Sequence, residues 1–376
     1  MTTMTERPAS DQRILELDGL RGIAVGMVLV WHFVGALVDQ GLGGWAKLLY
    51  GTTIFGRTGV DLFFVLSGFL IAGILLDRRS SPSHFLRSFY IRRVLRIVPS
   101  YFLLVAIFWT AIHLGVRNDV FNADTPWWRH ITFTQNWWMA EHDRWGPSAI
   151  SVTWSVAIEE QFYLAFPLLV ILTPFRLLPV LLAVIAAGSA CFRAVSWLAN
   201  DNAFTMYVHT LSRLDGLAAG AGVAYAWRHP NFLVWMAKHR QVFKRGLICM
   251  LWAIPLFLIA LRLNLPLNMA AWGHTYLTLL YSLMLLMIIT GLAQGGIPVL
   301  RQQWLTRLGA VSYTVYLFHP CFLSCAFLLA RRPERLSSLQ DITLAAAALC
   351  ATLLWSSISL QFLERPLTSA GRSFSY

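Results

Sequence analysis

An arginine and a histidine stand in the first apolar run of the chain, LDGLRGIAVGMVLVWHF over Leu17–Phe33. Histidine takes and gives protons near neutral pH, and arginine holds anions through a planar fork of donors. Arg21 and His32 are eleven positions apart. At about 100° and 1.5 Å per residue that is about three turns, so the two share one helix face with roughly 16 Å between them. They cannot touch, but one face then carries a charge near one end and a proton acceptor past the middle. The structural accounts are an Arg21 that snorkels beside Asp18 and a His32 satisfied in a core.

Other polar residues reach the depth of His32 on other apolar runs: Asp61 in GVDLFFVLSGF, Glu159 and Glu160 in WSVAIEEQFYLAFP, and Arg213 with Asp215 in SRLDGLAAG. A carboxylate that holds an imidazole makes it a better general base, and Asp61 or one of the two glutamates is placed to do so. Side chains adjacent on a helix point about 100° apart, so at most one of Glu159 and Glu160 faces a given partner. Structural ion pairs are the other account of each carboxylate. At the opposite end, FYIRRVLRIVPSY puts Arg92 and Arg96 four apart and Arg93 and Arg96 three apart, which gives a basic helical face. It suits a phosphate-rich ligand, or it anchors the chain at the membrane surface.

The elements that must position these residues follow from composition. Of 376 residues, 57% are hydrophobic and 13% charged, and the mean hydropathy is +0.59, too apolar for a soluble domain of this size. The formal charge of +12 falls in short clusters between apolar runs, as membrane insertion requires, and this argues against nucleic acid as a partner. A bilayer core of about 30 Å needs roughly 20 apolar residues per helix. That ruler predicts an all-α, polytopic membrane protein of about ten spans, near 16–38, 56–77, 94–115, 152–173, 178–199, 207–227, 246–263, 272–293, 308–330 and 340–363.

Arg78, Arg79, Arg87, Arg92 and Arg93 fill the second connection, and Arg228, Lys238, Arg240, Lys244 and Arg245 the sixth, which places both connections and both termini in the cytoplasm. Arg331, Arg332 and Arg335 fall on the wrong side of that topology. The long outer connection, about 116–151, carries Trp127, Trp128, Trp137, Trp138 and Trp145, either an interfacial belt or a platform for sugar rings. The first apolar run lacks a cleavage pattern, so it is expected to stay as a helix. The five cysteines show no CxxC spacing, and no metal site is expected.

In order and placement these motifs resemble the acyltransferase-3 family of integral membrane acyltransferases. The resemblance rests on an Arg, ten intervening residues and a His (Arg21, His32), VDLFFVLSGFLI, the Arg-x-x-Arg of Arg93 and Arg96, WSVAIEEQFYL and SRLDGLAAG. It continues through LGAVSYTVYLFHP, with Tyr313, Tyr316 and His319, to the closing FLERP. It implies an acyltransferase domain over about 16–366, between a cytoplasmic leader (1–15) and tail (367–376), in a bacterial inner membrane.

The implied reaction takes an acyl group, usually acetyl, from cytosolic acyl-CoA and places it on a hydroxyl of a carbohydrate or glycoside. His32 would be the catalytic residue, Arg21 would support donor or transition state, and Arg92, Arg93 and Arg96 would hold the CoA phosphates. Asp61, Glu159 or Glu160 would orient the imidazole, and Trp154 or Tyr163 would support the oxyanion. Ser155, Arg213, Asp215, Tyr313 and His319 would support the acceptor or the fold. Direct transfer and an acyl-histidine intermediate both remain open. Some relatives append a soluble domain, so transfer here is expected to finish within the bundle or to pass to a separate partner. A proton-coupled transporter of an anionic or sugar-like solute is the alternative, but no internal repeat supports it.

Overall fold

The apolar periods fold into helices throughout. The structure, a computed structural model, describes residues 14–39, 41, 43–78, 82–199, 202–262, 272–291 and 296–374. Arg79, most of the expected leader and the far ends of the expected seventh and eighth spans lie outside these residues. Helix α1 (Leu15–Val30) continues into a single π turn, Trp31–Gly35. After α2 (Gly44–Thr53) and a 3₁₀ turn at Ile54–Thr58, α3 (Gly59–Asp77) runs back antiparallel to α1. Then come α4 (Pro82–His113), the short α5 (Trp127–Ile131) and α6 (Gln135–His142), α7 (Thr153–Leu172), α8 (Leu178–Leu198) and α9 (Ala203–Val208). The chain continues through α10 (Leu214–Trp227), α11 (Pro230–Lys238), α12 (Arg240–Arg262) and α13 (His274–Gly291). It closes with α14 (Gln303–Ala310), α15 (Ser312–Leu329), α16 (Leu339–Ser359) and α17 (Arg365–Arg372).

Among the described residues, eight helices, some with their flanking turns, are long and apolar enough to cross a membrane. Two of the ten expected spans fall short of that measure. The run at 207–227 is interrupted by a 3₁₀ turn at Thr210–Ser212, and its α10 has 14 residues, about 21 Å against the roughly 30 Å of a bilayer core. The polar pair Arg213 and Asp215 sits at the interruption, each tied to another helix. The run at 246–263 is part of α12, whose first turns carry Arg240, Lys244 and Arg245.

Helix α3 is apolar on every side, and such a helix belongs in the interior. It packs most extensively against α10, which also meets α8 and α13. Two glycines set that approach. A Cβ on Gly68 would overlap the carbonyl of Leu217, and one on Gly220 would overlap the carbonyl of Val65. The glycine of LSGF is therefore a packing requirement, whereas the serine before it faces a cavity. The misplaced basic cluster has a local explanation: Arg332 donates to Asp341 at 2.5 Å and Arg335 lies 3.8 Å from Asp39, so nearby acids balance both.

Candidate active site

Helices α1, α3, α4, α7 and α15 surround a cavity with about 90 Å³ open to the centre of a water molecule. Each contributes polar side chains that its sequence holds among apolar neighbours. Arg21 comes from α1, Ser67 from α3, Arg93 and Arg96 from α4, Ser155, Glu159 and Tyr163 from α7, and Tyr313 and Tyr316 from α15. The Arg-x-x-Arg spacing puts both guanidinium groups on one face of α4, and α1 brings Arg21 to the same space. Arg93 lies over the rings of Phe89 and Tyr163, at 5.6 and 5.5 Å. Tyr163 donates to Glu159 at 2.9 Å and meets the Ser67 hydroxyl, while Tyr313 donates to the Ile97 carbonyl at 2.9 Å. Three arginines against one lining carboxylate make the cavity a place for an anion.

His32 does not line this cavity. It sits in the π turn, a feature that often marks functional sites, and its Nδ1 donates to the Val28 carbonyl at 2.9 Å. That bond assigns the neutral imidazole lone pair to Nε2. Its ring meets His319 edge to face at 4.7 Å between centroids, and His319 in turn lies 5.9 Å from Tyr316. Tyr316 is the link, since it lines the cavity and bonds to the Ser155 hydroxyl at 2.6 Å. His319 is fully buried, with Nδ1 donating to the Tyr316 carbonyl at 2.8 Å and Nε2 without a partner among the described residues.

The carboxylates are not where the matched depths suggested. Asp61 accepts from Arg213 at 2.9 Å and from His274 at 3.1 Å, and Arg213 also contacts His274. Asp215 accepts from Arg193 at 2.7 Å. Neither carboxylate touches His32. Depth along a helix is legible in sequence, but rotation about its axis is not, and α10 and α13 supply the nearer partners. Glu159 serves the cavity, whereas Glu160 does not line it and leaves Oε1 buried without a hydrogen bond. Trp154 is buried under Arg213 and beside Tyr207, so Tyr163 is the only one of the two expected oxyanion donors at the cavity. Arg92 turns away from Arg93 and Arg96 and donates to the Phe374 carbonyl at 2.7 Å, which ties α4 to the segment after α17.

The sequence pattern described as an acyltransferase domain matches residues 14–360. The chain belongs to the acyltransferase-3 family. It is 31% identical over 237 residues to the peptidoglycan O-acetyltransferase OatA of Listeria monocytogenes, an alignment covering 58% of this chain and 35% of that protein. A Staphylococcus aureus protein provisionally named an O-acetyltransferase is 27% identical over 373 residues, covering 94% of this chain and 57% of the relative. YrhL of Bacillus subtilis, provisionally named a peptidoglycan O-acetyltransferase, is 28% identical over 230 residues, covering 56% of this chain and 33% of the relative. The family member described here thus spans between a third and three fifths of the length of these relatives. No solved structure matches it.

Sequence reasoning missed the residues that fasten the long connection to the bundle. Gln135 donates to Tyr101 at 3.1 Å and to the Thr153 carbonyl at 2.9 Å, and Asn136 and Trp137 each donate to Thr210 at 2.9 Å. Gln161 bridges Asn136 and Thr210 at 3.0 and 2.5 Å. Helix α6, with eight residues, is too short to show an apolar period, so only their partners reveal its polar residues. Arg193, 0% exposed, had its signal in an arginine within an apolar run.

Proposed function

We propose that the chain is a membrane-embedded O-acyltransferase that moves an acyl group, acetyl by analogy with its relatives' names, from acyl-CoA to a carbohydrate hydroxyl. The observation that carries this reading is the polarised arrangement of Arg21, Arg93 and Arg96 around one cavity, joined through Tyr316 and His319 to His32. CoA phosphates at the cytoplasmic end pair with Arg93 and Arg96, and the thioester arm enters beside Arg21, Ser67 and Tyr163. A turn of the Tyr316 ring opens the cavity towards His32. The acceptor hydroxyl gives its proton to His32 Nε2 as its oxygen attacks the thioester carbonyl. The tetrahedral intermediate collapses to the ester, and the imidazolium returns the proton to the departing CoA thiolate. Tyr163 is placed to donate to the developing oxyanion, and the setting is a bacterial inner membrane.

The test is calorimetric titration of the detergent-purified chain with acetyl-CoA, with free CoA and ATP as controls, repeated on the Arg93→Ala, Arg96→Ala double variant. Saturable acetyl-CoA binding is expected, weakened at least tenfold in the variant. No binding by a folded preparation would remove the acyl-CoA donor and leave a transporter of anionic or sugar-like solutes as the better reading.

A further inference from the structure

Three arginines gather around Tyr207 and the start of α10, and the fold treats one of them differently. Arg193 is neutralised by Asp215 at 2.7 Å, and Arg213 by Asp61 at 2.9 Å. Arg57, half-buried in the 3₁₀ turn before α3, makes no ion pair or hydrogen bond among the described residues. Its guanidinium instead lies over two aromatic rings, Trp31 at 5.4 Å and Tyr207 at 5.0 Å. A cation that is partly desolvated and given only ring faces keeps its in-plane donors unused.

The position of this cation matters as much as its solitude. Trp31, whose ring Arg57 covers, directly precedes His32 in the same π turn. Tyr207 continues the aromatic surface away from His32: its ring is 4.9 Å from Trp154 and 5.7 Å from Trp145, and Trp145 is 40% exposed. A strip of rings therefore runs from the free guanidinium to the solvent-facing connection between α6 and α7.

We infer that Arg57 and the Trp31–Tyr207–Trp145 strip form an acceptor subsite for an acidic carbohydrate, in which a carboxylate or phosphate on the glycan docks on Arg57. Sugar rings lie along aromatic faces, and a guanidinium fork matches a planar or tetrahedral oxyanion with two parallel donors. Docking the anion there brings neighbouring hydroxyls towards His32. The inference rests on the acyltransferase reading for its acceptor side, and it adds charge to the description of that acceptor.

Binding to the full-length chain in nanodiscs tests it by tryptophan fluorescence and calorimetry. The probes are a neutral chito-oligosaccharide, an oligogalacturonate of equal length and a hexose phosphate, and acetyl-CoA is titrated in parallel. The wild type is expected to bind an acidic probe at least tenfold more tightly than the neutral one, and the two acidic probes separate carboxylate from phosphate recognition. Arg57→Gln should lose that preference while keeping acetyl-CoA binding, and Arg57→Lys should recover only part of it because the fork is gone. Equal binding of neutral and acidic saccharides by the wild type, which needs no variant to fold, would overturn the Arg57 assignment and leave a carbohydrate acceptor intact. Binding of acetyl-CoA without any saccharide would overturn both the subsite and the carbohydrate reading.

Discussion

His32 has its Nδ1 committed to a backbone carbonyl, so one nitrogen is left for chemistry, and no carboxylate stands behind it among the described residues. Its orientation then rests on the Val28 bond within the π turn and on the edge-to-face contact with the buried His319 ring. General base catalysis is typically worth about 10² to 10⁴-fold, so His32→Ala should lower acyl transfer at least a hundredfold while acetyl-CoA binding at the arginine cavity is unchanged. Radiolabelled transfer to a saccharide, measured beside calorimetry, checks both halves, and a variant that still turns over would assign the base elsewhere. Arg21, His32, Arg93 and Arg96 were legible in the sequence because charge inside an apolar run is costly, so each demands an explanation. Arg57 was not, because it stands at the very edge of the expected span 56–77, where an arginine reads as an ordinary interfacial residue. Asp61, one of three carboxylates expected to reach His32, pairs with Arg213 and His274 instead, because equal depth on two helices does not fix which way each side chain turns.

The pair α5 and α6, too short to span a membrane, packs through α6 against α7 and α9. Its docking depends on polar bonds from Gln135, Asn136 and Trp137 and on His130, which is 0% exposed and has neither ring nitrogen hydrogen-bonded among the described residues. Burial pushes the His130 imidazole down from 6.5 to about 4. A base whose folded pKa is depressed binds fewer protons folded than unfolded, so its site is unaffected above about pH 6.5 and loses stability as pH falls from there through about 4. The loss, fully developed, is on the order of 3 kcal/mol. Unfolding of the α5–α6 region, followed by limited proteolysis between pH 7.5 and 4.5, should speed up with acid, and His130→Gln should flatten that dependence. A slope that survives the substitution would place the acid sensitivity in another group. None of this was visible in the sequence, where WWRHITFTQNWW offers neither a helical nor a strand period.

At the scale of the whole molecule, the arginine cavity and the Arg57 strip lie towards opposite ends of α1, separated by the rings of Tyr316 and His319. For the proposed donor and acceptor to enter separately, these two ends must face different compartments, as the distribution of basic residues predicts. The long axis of α4, 32 residues or about 48 Å, is enough to carry Arg87 beyond one face of a bilayer core. Starting from a background in which Cys191, Cys249, Cys321, Cys325 and Cys350 are replaced by Ala, a single cysteine at Arg87 or at Trp145 reports on one end each; both native residues are exposed. A membrane-impermeant maleimide should label Arg87→Cys only in inside-out vesicles and Trp145→Cys only in right-side-out ones. Labelling of both from one side would collapse the two routes into one, and acyl donor and acceptor would then have to meet His32 from the same compartment. Labelling of each from the reverse side would keep two routes but exchange them, so that the arginine cavity no longer opened to the compartment of the proposed acyl-CoA donor. Only the expected pattern lets the ring pair Tyr316 and His319 act as the divide across which the acyl group passes.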